Sequence, residues 1–273
     1  MPGLVAVLDC EDDGAKVGFA GNPFPIRANY PTARKGCRAA GVVRDWSAME
    51  QAWYDMLQGH LGVDPEGTSV LLTESILTTF QQKKQTAEFF FETMGVSRLW
   101  CVNSAILALR YYSDKQEDCD TGLVVEGGAT LTSVIPVVSG QILKHSVRHL
   151  PHERVDPPAL SSAMEAAIWS SPIDCRRALY EHILLSGPST MAVGYDTALH
   201  GALSGLVTSR AAAFTRQLGN PSAKVGYTVN VLAAEHRDDA AWLGGSLFAM
   251  GDEYSMLAVS RQSFMEVGAE RFR

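Results

Sequence analysis

Apolar and polar positions trace the same outline at two places in the chain. In residues 4–21, LVAVLDCEDDGAKVGFAG, an apolar run containing Val5, Val7 and Leu8 stops at Asp9. Glu11, Asp12, Asp13 and Gly14 make an acidic turn, and Val17 and Phe19 resume the apolar pattern. The pattern predicts strand, turn, strand, with Gly18 and Gly21 marking a bend or a close approach of backbone. Residues 121–140, TGLVVEGGATLTSVIPVVSG, repeat the outline: the run ends on Glu126, and Gly127 and Gly128 carry the turn into LTSVIPVV. Two such units predict two similar halves facing each other across a cleft.

The remaining pattern alternates strands with helices. Residues 22–44 hold three prolines and several basic residues and read as a connector crossing a surface. Asp45 is placed to cap a helix over 46–61, with Trp46, Met49, Trp53, Met56 and Leu57 on one face. Strands are predicted at 70–75, 99–103, 183–187 and 225–232. A helix over 79–94 turns Phe90 and Phe91 inward and Gln82, Lys83 and Lys84 outward. Another follows at 104–112, and the polar segment 113–120 is the candidate boundary between halves. Pro157 and Pro158 suit the first turn of a helix running through Trp169. Residues 194–218 read as a helix burying Leu199, Leu206 and Phe214, and helical turns occupy the last 34 or so residues. The alternation predicts an α/β protein with mixed sheets.

A chain of 273 residues, 46% hydrophobic, is long enough to bury a large core in one or two domains. A net charge of −7 and a pI near 5.5 give no basic face for nucleic acid. No apolar run reaches membrane-spanning length, and the acidic residues after Leu8 come too early for a secretory leader. The five cysteines are scattered, without a CxxC pair, which suits a reducing compartment. His145, His149 and His152 invite comparison with a zinc site, but Pro151 interrupts their segment, and a strand there would not bring His145 and His149 together as a helix would. The carboxylates at 11–13 suit a hard cation, yet lack EF-hand spacing and read more simply as a solvated turn.

Collinear segments resemble the actin family. KVGFAG (16–21) is similar to actin's KAGFAG, GVVRDWSAMEQAW (41–53) to GIVTNWDDMEKIW, and VLLTES with FFFETM (70–75, 89–94) to VLLTEA and MFETF. IDCRRALYEHILLSGPSTM (173–191) resembles IRKDLYANTVLSGGTTM, and WLGGSLFAM and VSRQSF (242–250, 259–264) resemble WIGGSILAS and ISKQEY. The resemblance implies two ribonuclease-H-like halves, residues 1–115 plus 240–273 resembling actin subdomain 1 and 116–239 resembling subdomain 3. Little sequence stands between Pro31 and Gly41 or between Arg148 and Ser171, so subdomains 2 and 4 have no counterpart.

The resemblance also implies a vestigial nucleotide site. Asp9 and Lys16 match the first phosphate loop, Glu126, Gly127 and Gly128 the second, and Gly187 the adenine-side loop. Departures dominate it. The glycines and serine of the first loop are replaced by Glu11, Asp12 and Asp13, each repelling a polyphosphate by roughly 1 to a few kcal/mol at about 4 Å. Ala129 replaces an aspartate, and Ser104 and Ser133 stand at the water-orienting positions. Pro188 removes a backbone donor, and Asp238 stands where a lysine lies near the adenine. Lys16 reads as a lysine paired with Glu11 or Asp12 rather than a phosphate ligand. The expectation is therefore no catalysis, no cofactor and no metal. The alternative is a minimal actin that binds ATP or ADP with Mg²⁺ or Ca²⁺ and polymerises.

What the resemblance retains is a barbed-end face. Leu243, Leu247, Phe248, Gly251, Glu253 and Leu257 match one side of its groove, and Tyr111, Ser139 and Gln141 the other rim. Ordinary core is the competing reading for Leu247 and Phe248. A groove of this kind takes an amphipathic helix, and the face as a whole an actin-like subunit. The expectation is a structural subunit of a cytoskeletal or motor assembly, partnered by protein and not by nucleic acid or membrane. Its location would be cytoplasmic or cytoskeletal, with a ciliary or nuclear complex as further settings.

Overall fold

The computed structural model describes residues 4–30, 36–114, 119–151, 155–218 and 226–272. The chain divides into two compact units, Met1–Tyr111 with Asp239–Arg273, and Tyr112–Asp238.

In the first unit, β1 (Val5–Cys10) and β2 (Gly14–Phe19) form an antiparallel hairpin, and β3 (Ile26–Asn29) extends it. On its other side β1 runs parallel to β6 (Ser69–Glu74), which runs parallel to β7 (Arg98–Asn103). A two-residue β14 (Val259–Ser260) closes the edge, antiparallel to β7. β1 is hydrogen-bonded on both sides and buried along its whole length, which is why it reads as a continuous apolar run.

The second unit repeats the plan. The antiparallel hairpin of β8 (Gly122–Gly127) and β9 (Leu131–Val138) offers β8 to parallel β12 (Ile183–Ser186), which pairs with the short β13 (Val231–Leu232). Two short strands, β10 (Gln141–Ile142) and β11 (Arg148–Pro151), both pair with β9. Each unit is thus α/β with a mixed sheet, in which one hairpin strand is flanked by a parallel strand reached through a helical crossover.

The helices follow their local signals. α1 (Trp46–Tyr54) is capped by Asp45, whose Oδ1 accepts from Ala48 N–H at 3.0 Å, and a wider turn, Asp55–His60, carries Met56 and Leu57 into the core. α2 (Phe80–Glu88) opens with a capping box between Thr79 and Gln82. Trp53 packs on Phe90 at 5.1 Å, and Phe91 stacks on Phe264 at 4.7 Å, which ties α9 (Arg261–Val267) into the first unit. α3 (Ser104–Ser113) follows β7, and α7 (Ala240–Met250) lies against β1, with Trp242 Nε1 donating to Val7 O at 3.1 Å. In the second unit α4 (Pro157–Ser170) and α6 (Tyr195–Leu218) bury Leu160, Met164, Ile168, Leu199 and Leu203 over the sheet. α5 (Arg176–Glu181) leads into β12, and in the first unit α8 (Asp252–Leu257) follows α7.

Four sequence expectations are corrected. Residues 22–44 are not only a surface connector: β3 joins the sheet, Tyr30, Cys37 and Arg38 are buried, and β4 (Arg38–Ala39) pairs with β5 (Val42–Val43). Of the strand forecast at 225–232, residue 225 lies outside the described residues and the rest is strand only at β13, preceded by Asn230, whose N–H bonds to Tyr180 O and whose carbonyl accepts from Ile183 N–H. On α6 the buried side carries Leu199, Leu203 and Val207, leaving Leu206 half-buried and Phe214 47% exposed. Lys83 is turned inward, its Nζ 2.6 Å from the buried Glu74 carboxylate.

Gly244 marks a close approach of α7 to α3, since a Cβ there would overlap the Leu107 carbonyl. Gly244→Ala should lower stability by about 3 kcal/mol, the upper end for overpacking, because backbone rather than a flexible side chain must give way. A urea melt of the variant against the parent chain measures this.

Candidate functional site

The candidate site of the first unit is built on one row of the sheet. The β1–β2 register sets Asp9 opposite Lys16, and the β2–β3 register sets Lys16 opposite Arg27. Cross-strand partners share a face, so acid, base and base stand side by side. The turn folds Glu11 back over this row: its N–H bonds to Gly14 O at 2.8 Å, and its Oε1 meets Lys16 Nζ at 2.5 Å. Asp9 Oδ2 lies 3.9 Å and Asp239 Oδ1 4.0 Å from the same ammonium. Asp239 also pairs with Arg27 Nη2 at 2.9 Å, and Asp9 Oδ1 accepts from Thr73 Oγ1 at 2.7 Å.

Lys16 is 2% exposed, so this ammonium sits inside a carboxylate cage. Burial alone would lower its pKa, but Asp9, Glu11 and Asp239 outweigh that and hold it above the usual lysine value. Burial pushes the Glu11 carboxyl up to about 7, against the pull of Lys16. Asp12 leaves the cage and accepts from Gly41 N–H at 2.8 Å, pinning the β4–β5 turn, while Asp13 is exposed.

In the second unit the glycines of two loops are pressed together. Gly187, at φ 87°, lies so close to the β8–β9 turn that a Cβ would stand 2.5 Å from Gly127 O. A Cβ on Gly127 would in turn strike the Ser189 side chain. Their amides are turned to internal acceptors: Gly187 N–H to Arg237 O at 2.9 Å, and Gly128 N–H to Leu131 O at 3.0 Å. Pro188 has no N–H, and Arg237 Nη2 reaches across to Thr190 O at 3.0 Å. Glu126 and Ser133 are opposite each other on β8 and β9, and Ser133 Oγ shares a 2.9 Å hydrogen bond with His149 Nδ1. His145 Nε2 donates to Ser170 O at 3.2 Å, and His152 lies outside the described residues.

The structure therefore gathers Asp9 and Lys16 in one unit and Gly127, Gly128 and Gly187 in the other. Sequence reasoning missed Arg27, Thr73 and Asp239 as members of the cage and Arg237 as the clamp on the glycine loops. Arg27 sat in a stretch read as connector, although its alternation with Ile26 and Ala28 was a strand signal. Asp239, just ahead of α7, carried no mark beyond its place at a helix start.

The groove residues are unequal. In the first unit Tyr111 and Phe248 are buried, Phe248 stacking on Trp100 at 4.2 Å. Its burial answers to the reading as core. Leu243 and Leu247 are half-buried on α7, while Gly251, Glu253 and Leu257 on and beside α8 are exposed, Leu257 by 54%. Glu253 pairs loosely with Arg110 at 3.6 Å. In the second unit Ser139, at φ 48°, and Gln141 are exposed at the β9–β10 turn.

Twin α/β units, each with a hairpin whose turn meets a buried polar or glycine-rich site, define the class to which the comparisons give a family. The actin family model matches residues 32–153 and 149–273, and the chain belongs to the actin family. It is similar to actin-related protein 3 of Oryza sativa subsp. indica, 26% identical over 324 residues that cover 84% of this chain and 75% of that protein. Actin-related protein 3 of Dictyostelium discoideum is 24% identical, covering 84% and 77%, and that of Saccharomyces cerevisiae is 24% identical, covering 85% and 72%. Since 84% of 273 residues is about 229, about 95 of the 324 positions aligned with the rice protein stand opposite no residue here. This chain is the shorter of the two within the matched span. Sixteen residues separate β3 from α1 and five separate β11 from α4, too few for the lobes that subdomains 2 and 4 would supply.

Two outcomes test the cage. Glu11 has its folded pKa raised from 4.5 to about 7, so its contribution to stability is fully present below 4.5 and is lost as pH rises through 7. Between those values the parent chain should lose on the order of 2 kcal/mol more than Glu11→Gln, read from urea midpoints across the pH series. Lys16→Met should cost about 3–5 kcal/mol at pH 7.5, because it leaves buried carboxylates without their cation. Thermal or urea unfolding measures that loss.

Proposed function

We propose that this protein is a non-catalytic, actin-related structural subunit of a larger cytoskeletal or motor assembly. One observation carries the reading: Lys16, the residue matching the phosphate-loop lysine, is buried against Glu11, Asp9 and Asp239. A triphosphate entering there would have to displace Glu11 and then face three carboxylates, with repulsion of roughly 1 to a few kcal/mol each. Phosphate cradles rely on free backbone N–H groups. Here Glu11, Gly128 and Gly187 bond theirs to internal carbonyls, and Pro188 has none. Phosphoryl transfer is almost wholly positioning and charge neutralisation, and both are withdrawn.

The same reading assigns residues 1–115 plus 240–273 to an actin subdomain-1-like half and 116–239 to a subdomain-3-like half. Docking falls to the barbed-end-like face. Leu243, Leu247 and Leu257 supply part-exposed apolar side chains for an amphipathic helix, with Gly251 leaving room and Glu253 on the rim. Support for membership of an assembly comes from the likeness to actin-related protein 3 and from the shortened span, which leaves one docking end without the opposite lobes. A cytoplasmic or cytoskeletal location follows from the same likeness. No helix among the described residues is long and apolar enough to cross a membrane.

The test is a thermal-shift titration with Mg-ATP. A nucleotide at a hundredfold excess over its Kd would stabilise a binding protein by about 2.7 kcal/mol. The expected result is no shift up to millimolar nucleotide, together with recovery of a fixed set of protein subunits when the tagged chain is purified from its cells. A saturating shift with Mg-ATP overturns the reading.

A further inference from the structure

In the second unit two arginines stack on one exposed tryptophan at the C-terminal end of α4. Trp169 stands one residue before the end of that helix and is 39% exposed. The Arg176 guanidinium lies over its ring, 4.6 Å from the centroid, and the Arg210 guanidinium lies 4.4 Å from the same centroid. Three helices, α4, α5 and α6, thus supply one residue each. Arg176 is held further by donating through Nε to Ser171 O at 3.0 Å and through Nη2 to Trp169 O at 2.8 Å. Arg210 is held by Glu165, whose Oε1 is 3.1 Å from Nε. Stacking and these contacts fix both guanidiniums, and cations already fixed lose little freedom when a partner arrives. Nη1 of Arg176 and both Nη atoms of Arg210 make no hydrogen bond among the described residues.

The two charges share one ring and so stand no more than about 9 Å apart. Arg176 forms no ion pair among the described residues, and Glu165 is the acid that meets Arg210. Arg148, bonded to Ser170 Oγ, and Arg177 add to the positive side, while Asp174 and Glu181 are the nearby acids in sequence. Four arginines against three acids leave the balance positive here, in a chain whose net charge is −7.

We propose that Arg176, Trp169 and Arg210 form a docking site for a short acidic protein segment, two carboxylates of which straddle the tryptophan ring. Carboxylates at i, i+4 on a helix stand about 6 Å apart, and at i, i+2 on a strand about 7 Å, so either spacing reaches both guanidiniums. Each carboxylate takes the free edge of one arginine. Ile173, 69% exposed, and Phe214, 47% exposed, each follow a member of the cluster by four residues and offer apolar surface to flanking side chains of the segment. A second copy of this chain would bring the same cations to the contact, which argues against self-association. A nucleic acid or an anionic membrane extends its charge far past two arginines and meets repulsion from the rest of an acidic chain. None of the three residues belongs to the barbed-end-like face or to either hairpin turn, so this proposal and the function proposed above can fail separately.

The five tryptophans should give five indole N–H signals in a proton–nitrogen correlation spectrum of the full chain. The Trp169 signal is the one missing from Trp169→Phe. Capped hexaglutamate at low salt should move that signal saturably and leave the other four in place, and hexalysine should move none. Arg176→Gln, and separately Arg210→Lys, should each raise the hexaglutamate Kd about tenfold. Unmoved signals from the other four tryptophans report that each variant keeps its fold. No movement of the Trp169 signal at millimolar hexaglutamate overturns the proposal. So does an unchanged Kd in both arginine variants, or tighter binding of hexathymidylate or phosphatidylserine vesicles than of hexaglutamate.

Discussion

A lysine ammonium enclosed by three carboxylates is the constraint from which the rest of the first unit follows. Lys16 is carried by β2, Asp9 by β1, Glu11 by the turn between them and Asp239 by the residue ahead of α7. The contact draws together the first strands of the chain and the segment that returns to them more than two hundred residues later. A buried charge is tolerated only with partners in good geometry, so each acid depends on the others staying in place. Arg27 extends the cage to β3 and Thr73 extends it to β6, which leaves the hairpin fixed on both flanks.

In an actin-type protein the same turn is where nucleotide phosphates are met. On the proposed reading, Glu11, Asp12 and Asp13 in place of a glycine-rich loop do two things at once. They supply the internal anion for Lys16, and through Asp12 they fasten the Gly41 turn to the hairpin. The charge of Lys16 is met by Asp9, Glu11 and Asp239 of the chain itself. The second unit makes the analogous change with backbone: Gly127 and Gly187 pack against each other, and Arg237 holds their loops. Proteins that bind phosphates keep such groups open, and keeping them open costs stability. In this chain the N–H groups of Glu11, Gly128 and Gly187 are bonded to internal carbonyls.

Legibility in the sequence followed the physics of each element. The two hairpins were readable because alternation, a carboxylate and a glycine turn agree at each site, α1 because Asp45 is a strong cap, and α2 because Phe90 and Phe91 mark the apolar face of the helix forecast over 79–94. β3 was obscured by prolines on either side, although Ala28 and Tyr30 are buried. The face of α6 was misjudged because small residues dominate it, so Phe214 looked like an anchor where Leu203 and Val207 pack. Pairing of Lys16 with Glu11 could be read from their closeness in sequence. The roles of Asp239 and Arg237 could not, since each meets its site only through tertiary packing. Burial could not be read either: of the positions matched to the groove, Tyr111 and Phe248 are buried while Gly251, Glu253 and Leu257 are exposed.

The central claim is that the charge of Lys16 is satisfied from within. A high-resolution crystal structure of the chain grown in millimolar Mg-ATP tests it most directly. The account predicts Lys16 Nζ still bonded to Glu11, with no nucleotide density at either hairpin turn. An adenine nucleotide and its metal, with Lys16 swung onto a phosphate oxygen, would contradict it.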